Sequence, residues 1–110
     1  MRSKYAIAAL IALSLCVITS AQDKPEYVSS SGRSFFSNPD EKGVVAEAEQ
    51  KLAANPKDVD LIIALGRAQG SVWRFRDAIA TFNRGFEISP KNAMLYRHRG
   101  HRYISTRQLD

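Results

Sequence analysis

The fold turns on the stretch Leu65 to Pro90, LGRAQGSVWRFRDAIATFNRGFEISP. It reads as two short helices folded back on each other: an apolar stripe ending near a glycine, a polar joint, and a second apolar stripe closed by proline. The punctuation around it recurs. Pro56-Lys57-Asp58-Val59-Asp60-Leu61 comes before it and Pro90-Lys91-Asn92-Ala93-Met94-Leu95 after it, and the interval from Pro56 to Pro90 is also the interval from Gly66 to Gly100. A fixed period of this size marks a repeat array, in which each unit buries its apolar face against its neighbours.

Helical periodicity extends on both sides. From Asp40, Val44, Val45, Ala48 and Leu52 fall on one face of a first helix that Asn55-Pro56 stops, because proline disfavours helical geometry in the residue before it. A second helix is expected over Val59 to Gln69, with Asp58 as N-cap, Leu61, Ile62, Leu65 and Ala68 as its stripe, and Gly70-Ser71 as its break. A third runs from Arg76 to Ile88 with Ala78, Ile79, Phe82, Gly85 and Phe86 inward. Asn92 caps a fourth over Ala93 to Ser105, whose inner face is read as Tyr96, Gly100, Tyr103 and Ile104. The fold class expected is all-α, antiparallel helix-turn-helix units stacked as a short α-solenoid over residues 41–110.

The chain has 110 residues, 45% hydrophobic and 25% charged, which suits one small folded domain. Residues 1–21 have the anatomy of a secretory signal peptide. Arg2 and Lys4 supply the positive start, Tyr5 to Ile18 the apolar run, and Thr19-Ser20-Ala21 a small-residue site before Gln22. That run falls short of the roughly 20 apolar residues of a membrane span. Cleavage and export to a bacterial periplasm or outside the cell are therefore expected, with an uncleaved membrane anchor as the alternative and lipidation at Cys16 as a minor one. Without the leader, 14 basic residues face 11 acidic ones. That excess is too small to be a nucleic-acid signature. Cys16 is the sole cysteine, so the mature chain would hold no disulfide, thiolate metal site or cysteine nucleophile. Residues 22–40, with two prolines and Ser29-Ser30-Ser31-Gly32, read as a flexible linker, except that Phe35-Phe36 is expected to pack on the edge of the following domain.

The residues at these spacings resemble the tetratricopeptide repeat, a helix-turn-helix unit of about 34 residues with the pattern W-x2-L-G-x2-Y, then A-x3-F, then P. With Val59 as first residue, Ile62 stands at the large aromatic position, Leu65-Gly66 matches the L-G pair and Gln69 replaces the tyrosine. Ala78 and Phe82 match A-x3-F, Gly85 fills the next small position and Pro90 closes the unit. Residues 59–92 thus form the complete unit and residues 41–58 a degenerate half. Residues 93–110 form a truncated unit in which Tyr96, Gly100 and Tyr103 match and Arg99 replaces leucine. The resemblance implies a protein-protein interaction scaffold without chemistry of its own, binding a peptide or partner protein in a concave groove. In family terms the groove-facing positions are Asp60, Ile63, Arg67 and Gly70, then Met94, Arg97, His98, His101 and Ser105. Ile63 and Arg67 depart from the Lys and Asn with which chaperone-binding members clamp a carboxylate.

The densest polar cluster is Arg97-His98-Arg99-Gly100-His101-Arg102-Tyr103. It suits an acidic peptide, a phosphate or an anionic surface, because Arg pairs with carboxylate and phosphate oxygens in bidentate fashion. A solvated face whose stems cover apolar surface is the plain counter-reading. His98 and His101 lack the third and fourth ligands that zinc wants, and no triad spacing accompanies them. No metal, cofactor or catalysis is expected. Tyrosines interleaved with arginines can hold single strands, but Tyr96 and Tyr103 are read as packing residues, and no nucleic-acid partner is expected. An alternative role is the accessory repeat segment of a larger envelope enzyme or assembly factor. The fourth helix has no successor to pack on, which leads to the expectation of either a longer reading frame or self-association through Tyr96, Tyr103 and Ile104.

Overall fold

The computed structural model describes residues 24–107. The leader expected at residues 1–21 and the last three residues lie outside that range. Four helices, α1 (Val44–Ala54), α2 (Val59–Ser71), α3 (Phe75–Ile88) and α4 (Ala93–Ser105), follow a two-stranded ribbon of β1 (Tyr27–Val28) and β2 (Ser34–Phe35). The protein is mostly helical. Each helix packs on the next in sequence, and α2 also touches α4.

The helix starts are set by side chains that satisfy otherwise unpaired backbone N–H groups. The Asp58 carboxylate accepts from the N–H groups of Asp60 and Leu61 at 2.9 and 3.2 Å, and the Asn92 side chain accepts from Met94 and Leu95 at 3.0 and 3.3 Å. α1 begins later than the periodicity from Asp40 indicates. Asp40 folds back so that its Oδ2 accepts from Val45 and Ala46 at 3.0 and 3.1 Å, across a left-handed Gly43 with φ 66°. α2 continues through Gly70-Ser71, where the sequence pattern places a break. The turn comes instead at Trp73, a non-glycine residue with φ 63°. That geometry costs an L-residue about 1–2 kcal/mol, and it places the indole on the surface at 44% exposure.

Two apolar clusters hold the helices together. Val45 and Leu52 of α1 meet Ile62 and Leu65 of α2, with Val72 closing the end. On the other side of α2, Ile63 packs with Ala78 and Phe82 of α3 and Leu95 of α4. Close approach is possible because glycines stand where the helices touch. A Cβ on Gly66 would lie 2.4 Å from the Phe82 ring, and one on Gly85 2.7 Å from Leu95. Between α2 and α3 the buried Thr81 hydroxyl donates to Gln69 Oε1 at 2.7 Å, so each satisfies the other's buried polar atom.

The stretch whose composition suggests a flexible linker carries an ordered ribbon. Tyr27 pairs with Phe35 and Val28 with Ser34, and the Ser-Ser-Ser-Gly run is its turn, closed through Gly32 at φ 82°. Composition signals looseness, but the Tyr27–Phe35 ring stack at 5.7 Å and the ties to α3 override it. Glu26 accepts from the Arg76 backbone N–H at 3.0 Å and pairs with its guanidinium at 3.7 Å, while that guanidinium also donates to the Pro25 carbonyl. Asn38 N–H donates to the Val72 carbonyl at 2.8 Å.

The inner face of α4 also differs from its reading. Leu95 is the buried residue, seated over Gly85, whereas Tyr96 and Ile104 are 53% and 57% exposed. A Cβ on Gly100 would meet nothing within 4 Å. Opposite signs are therefore expected for the same change at Gly66 and Gly100, although the two are separated by the same interval as Pro56 and Pro90. Gly66→Ala must displace a buried ring and should destabilise by about 1–3 kcal/mol, the ordinary cost of overpacking. Gly100→Ala should stabilise by about 0.5–1 kcal/mol through helix propensity alone. Urea unfolding followed by circular dichroism checks both.

Candidate functional site

α2 and α4 lie side by side, and the glycines of α2 leave a cleft between them. It measures about 250 Å³ and is lined by Gly66, Arg67, Gly70 and Ser71 of α2, Phe82 of α3, and His98 and Arg102 of α4. Small-molecule pockets usually run to about 300–1,000 Å³, so this space suits a side-chain-sized group. Gly70 makes room for Arg102: a Cβ there would sit 2.5 Å from a guanidinium nitrogen. The same guanidinium lies over the Phe75 ring at 5.3 Å. His98 stacks on Phe82, centroids 5.9 Å apart.

The electrostatics of the cleft are one-sided. Among the described residues no carboxylate comes within salt-bridge distance of Arg67, Arg97 or Arg102, since the ion pairs there are Lys51–Glu47 and Arg76–Glu26. Burial lowers the pKa of Arg102, but a guanidinium stays charged. His98 is pushed below the ordinary histidine value by burial first, then by Arg67, Arg97, His101 and Arg102. It is thus held neutral, and its Nε2 is buried without a hydrogen-bond partner among the described residues. Two lining guanidinium groups with Arg97 beside them, none paired to a carboxylate among the described residues, and one unsatisfied ring nitrogen form a site suited to accepting an anion.

Of the groove positions expected from sequence, Arg67, Gly70 and His98 come together in this cleft. Arg97 and His101 are exposed beside it, close enough to act on His98 electrostatically. Asp60 and Met94 are exposed and do not line it. Ile63 is a correction: at 8% exposure it is a core residue, because α4 crosses α2 there and Leu95 covers it. Arg102 and Phe82 belong to the cleft although the groove reading leaves them out. The signal for Arg102 is the glycine at position 70, whose missing side chain admits the long one opposite. Among the described residues no three potential metal ligands cluster, so His98 and His101 have no third partner.

A second, mainly apolar cleft of about 390 Å³ lies between the ribbon and the helix ends, lined by Tyr27, Phe35, Trp73, Phe75, Ile104, Ser105 and Arg107. Trp73 stacks on Phe75 with centroids 6.2 Å apart. Phe35 thus faces the helix ends across this cleft, while Phe36 is 46% exposed.

The depressed His98 pKa carries a stability consequence. Above about 6.5, the ordinary histidine value, neither folded nor unfolded chain protonates this ring. Below it the unfolded chain binds the proton first, so stability should fall as pH drops from 6.5 toward the lower folded value. His98→Phe should flatten that part of the profile, checked by urea midpoints between pH 7.5 and 5; an unchanged slope would show that other groups set it.

Comparison with protein-family models, with curated proteins and with solved structures found no match to this chain.

Proposed function

We propose that this chain is an exported interaction scaffold of tetratricopeptide-like units, stacked as a short α-solenoid, that binds an acidic segment of a partner protein and performs no catalysis. Three supports carry the reading. The repeated punctuation coincides with packing roles for Gly66, Ala78, Phe82 and Gly85. α2 and α4, the first helices of successive units, lie against each other and form one face. That face holds the α2–α4 cleft, and the single most telling observation is its set of cations without carboxylate partners among the described residues, around the unsatisfied His98 Nε2.

In this reading a carboxylate enters between α2 and α4, accepts from the Arg102 and Arg67 guanidinium groups, and meets His98 at the back. Hydrogen bonds to charged groups contribute about 1.5–3 kcal/mol each, which is affinity enough for one anchor in a longer groove contact. The anchor also selects. A neutral side chain would leave the cations desolvated and unpaired, at a cost that discriminates against it. Because an anion favours the protonated imidazole, binding takes up a proton at His98 and tightens as pH falls from neutrality.

A fluorescein-labelled peptide of alternating Glu and Leu serves as probe, with its Gln-for-Glu counterpart as control. The full chain should bind the acidic peptide in a salt-sensitive manner, the Arg102→Gln variant should lose about 10-fold or more in affinity, and the control should bind weakly. Equal affinity for both peptides, or an unchanged Kd for Arg102→Gln, would refute the assignment of the cleft.

A further inference from the structure

We propose that copies of this chain stack head to tail, the α4 face of one copy lying in the cleft between α1 and α2 of the next. This rests on the repeat reading above and adds an occupant for two faces left uncovered among the described residues. The acceptor cleft, about 210 Å³, is lined by Val44, Glu47, Ala48 and Lys51 of α1 and by Leu61, Ala64 and Ala68 of α2. Moved by one repeat period, the interval from Pro56 to Pro90, the four α1 positions become Ala78, Thr81, Phe82 and Gly85, which are the buried residues of α3. The cleft is thus the register equivalent of the surface against which α2 is held inside the chain, and among the described residues it stands open.

The helix equivalent to α2 is α4, and its matching face is equally uncovered among the described residues. Tyr96 and Ile104 are 53% and 57% exposed, and Gly100 meets nothing, although its counterpart Gly66 receives the Phe82 ring. Carrying each internal contact across by the same period gives the intermolecular one. Gln69 with Thr81, a hydrogen bond of 2.7 Å inside the chain, becomes Tyr103 with Glu47 of the next copy, a phenol donating to a carboxylate. Gly70 with Arg102, small against large, becomes Ile104 with Ala68, large against small. Gly66 with Phe82 becomes Gly100 with Ala48, and Ile62 near Gly85 becomes Tyr96 near the Lys51 stem.

Charge is compatible with shape: the α4 face carries Arg99 and no acid, while the acceptor cleft holds the Lys51–Glu47 pair, whose carboxylate has room to accept from Tyr103 as well. An isologous α4-to-α4 contact would set like charges against each other, which disfavours a two-fold pair. A heterologous contact that repeats the internal rotation does not close, so the product is an open row whose α2–α4 clefts recur along one face.

The test uses the full chain with Cys16→Ser and cysteines at the facing positions, Ala68→Cys and Ile104→Cys, treated with a short bismaleimide. A ladder of dimer, trimer and higher species is expected on a denaturing gel. Each single-cysteine variant should stay monomeric, because the two sites lie on opposite ends. Adding Ala48→Arg should abolish the ladder while circular dichroism shows unchanged helix content. No ladder, or dimers from either single-cysteine variant as abundant as from the pair, overturns the proposal; the first result would follow if some other segment covers α4. Binding of the acidic peptide is measured on the same samples, so loss of stacking with binding retained is distinguishable from failure of the scaffold reading.

Discussion

The Phe82 ring lies across the bare backbone of Gly66, and the other helix contacts follow from that approach. It brings α2 and α3 close enough for Thr81 to reach Gln69, and it completes the cluster that Leu95 enters over Gly85. Burying an aromatic of this size contributes about 1.5–3 kcal/mol relative to exposure, and the glycine that permits it forgoes about 0.5–1 kcal/mol of helix propensity. The exchange favours the packed pair. The ring also floors the α2–α4 cleft and carries the His98 imidazole on its other side, so one contact links core packing to the polar face.

Helix positions are legible in the sequence because they rest on local chemistry. Asp58 and Asn92 cap α2 and α4, and the spacing Ala78-x3-Phe82 puts both inward without reference to the rest of the chain. Features decided by contact between distant segments are not legible. The ribbon of residues 27–35 depends on Glu26 meeting Arg76, fifty positions away, whereas its composition resembles a tether. Trp73 takes a glycine-like backbone angle that no local rule assigns to tryptophan. For α4, the aromatic positions suggest the inner face, but the crossing with α3 seats Leu95, one position before Tyr96, over Gly85 and leaves Tyr96 exposed.

The candidate site is half legible for the same reason. A run of arginine and histidine advertises an anion, but which of its members face α2 depends on the crossing of the two helices. That crossing buries Ile63, leaves Arg97 and His101 outside, and turns Arg102 inward across Gly70 and onto Phe75. α4 thereby serves two surfaces. Arg102 and His98 on the α2 side line the cleft, while Tyr96, Tyr103 and Ile104 with the stacked Arg99 form an end face. Arg99 covers the Phe86 ring at 4.2 Å and donates to Asn83 at 2.9 Å, which positions that end face against α3.

A double-mutant cycle reads out directly whether the Phe82 ring fills the space a Cβ at position 66 would need. Gly66→Ala is introduced alone and in a Phe82→Leu background, and each pair is compared by urea unfolding. Alanine at 66 should destabilise the parent chain but be neutral or stabilising once the ring is removed, a coupling of about 1 kcal/mol or more. The same free-energy change in both backgrounds would mean that α2 is held to α3 by something other than this contact, and the packing described above would be wrong.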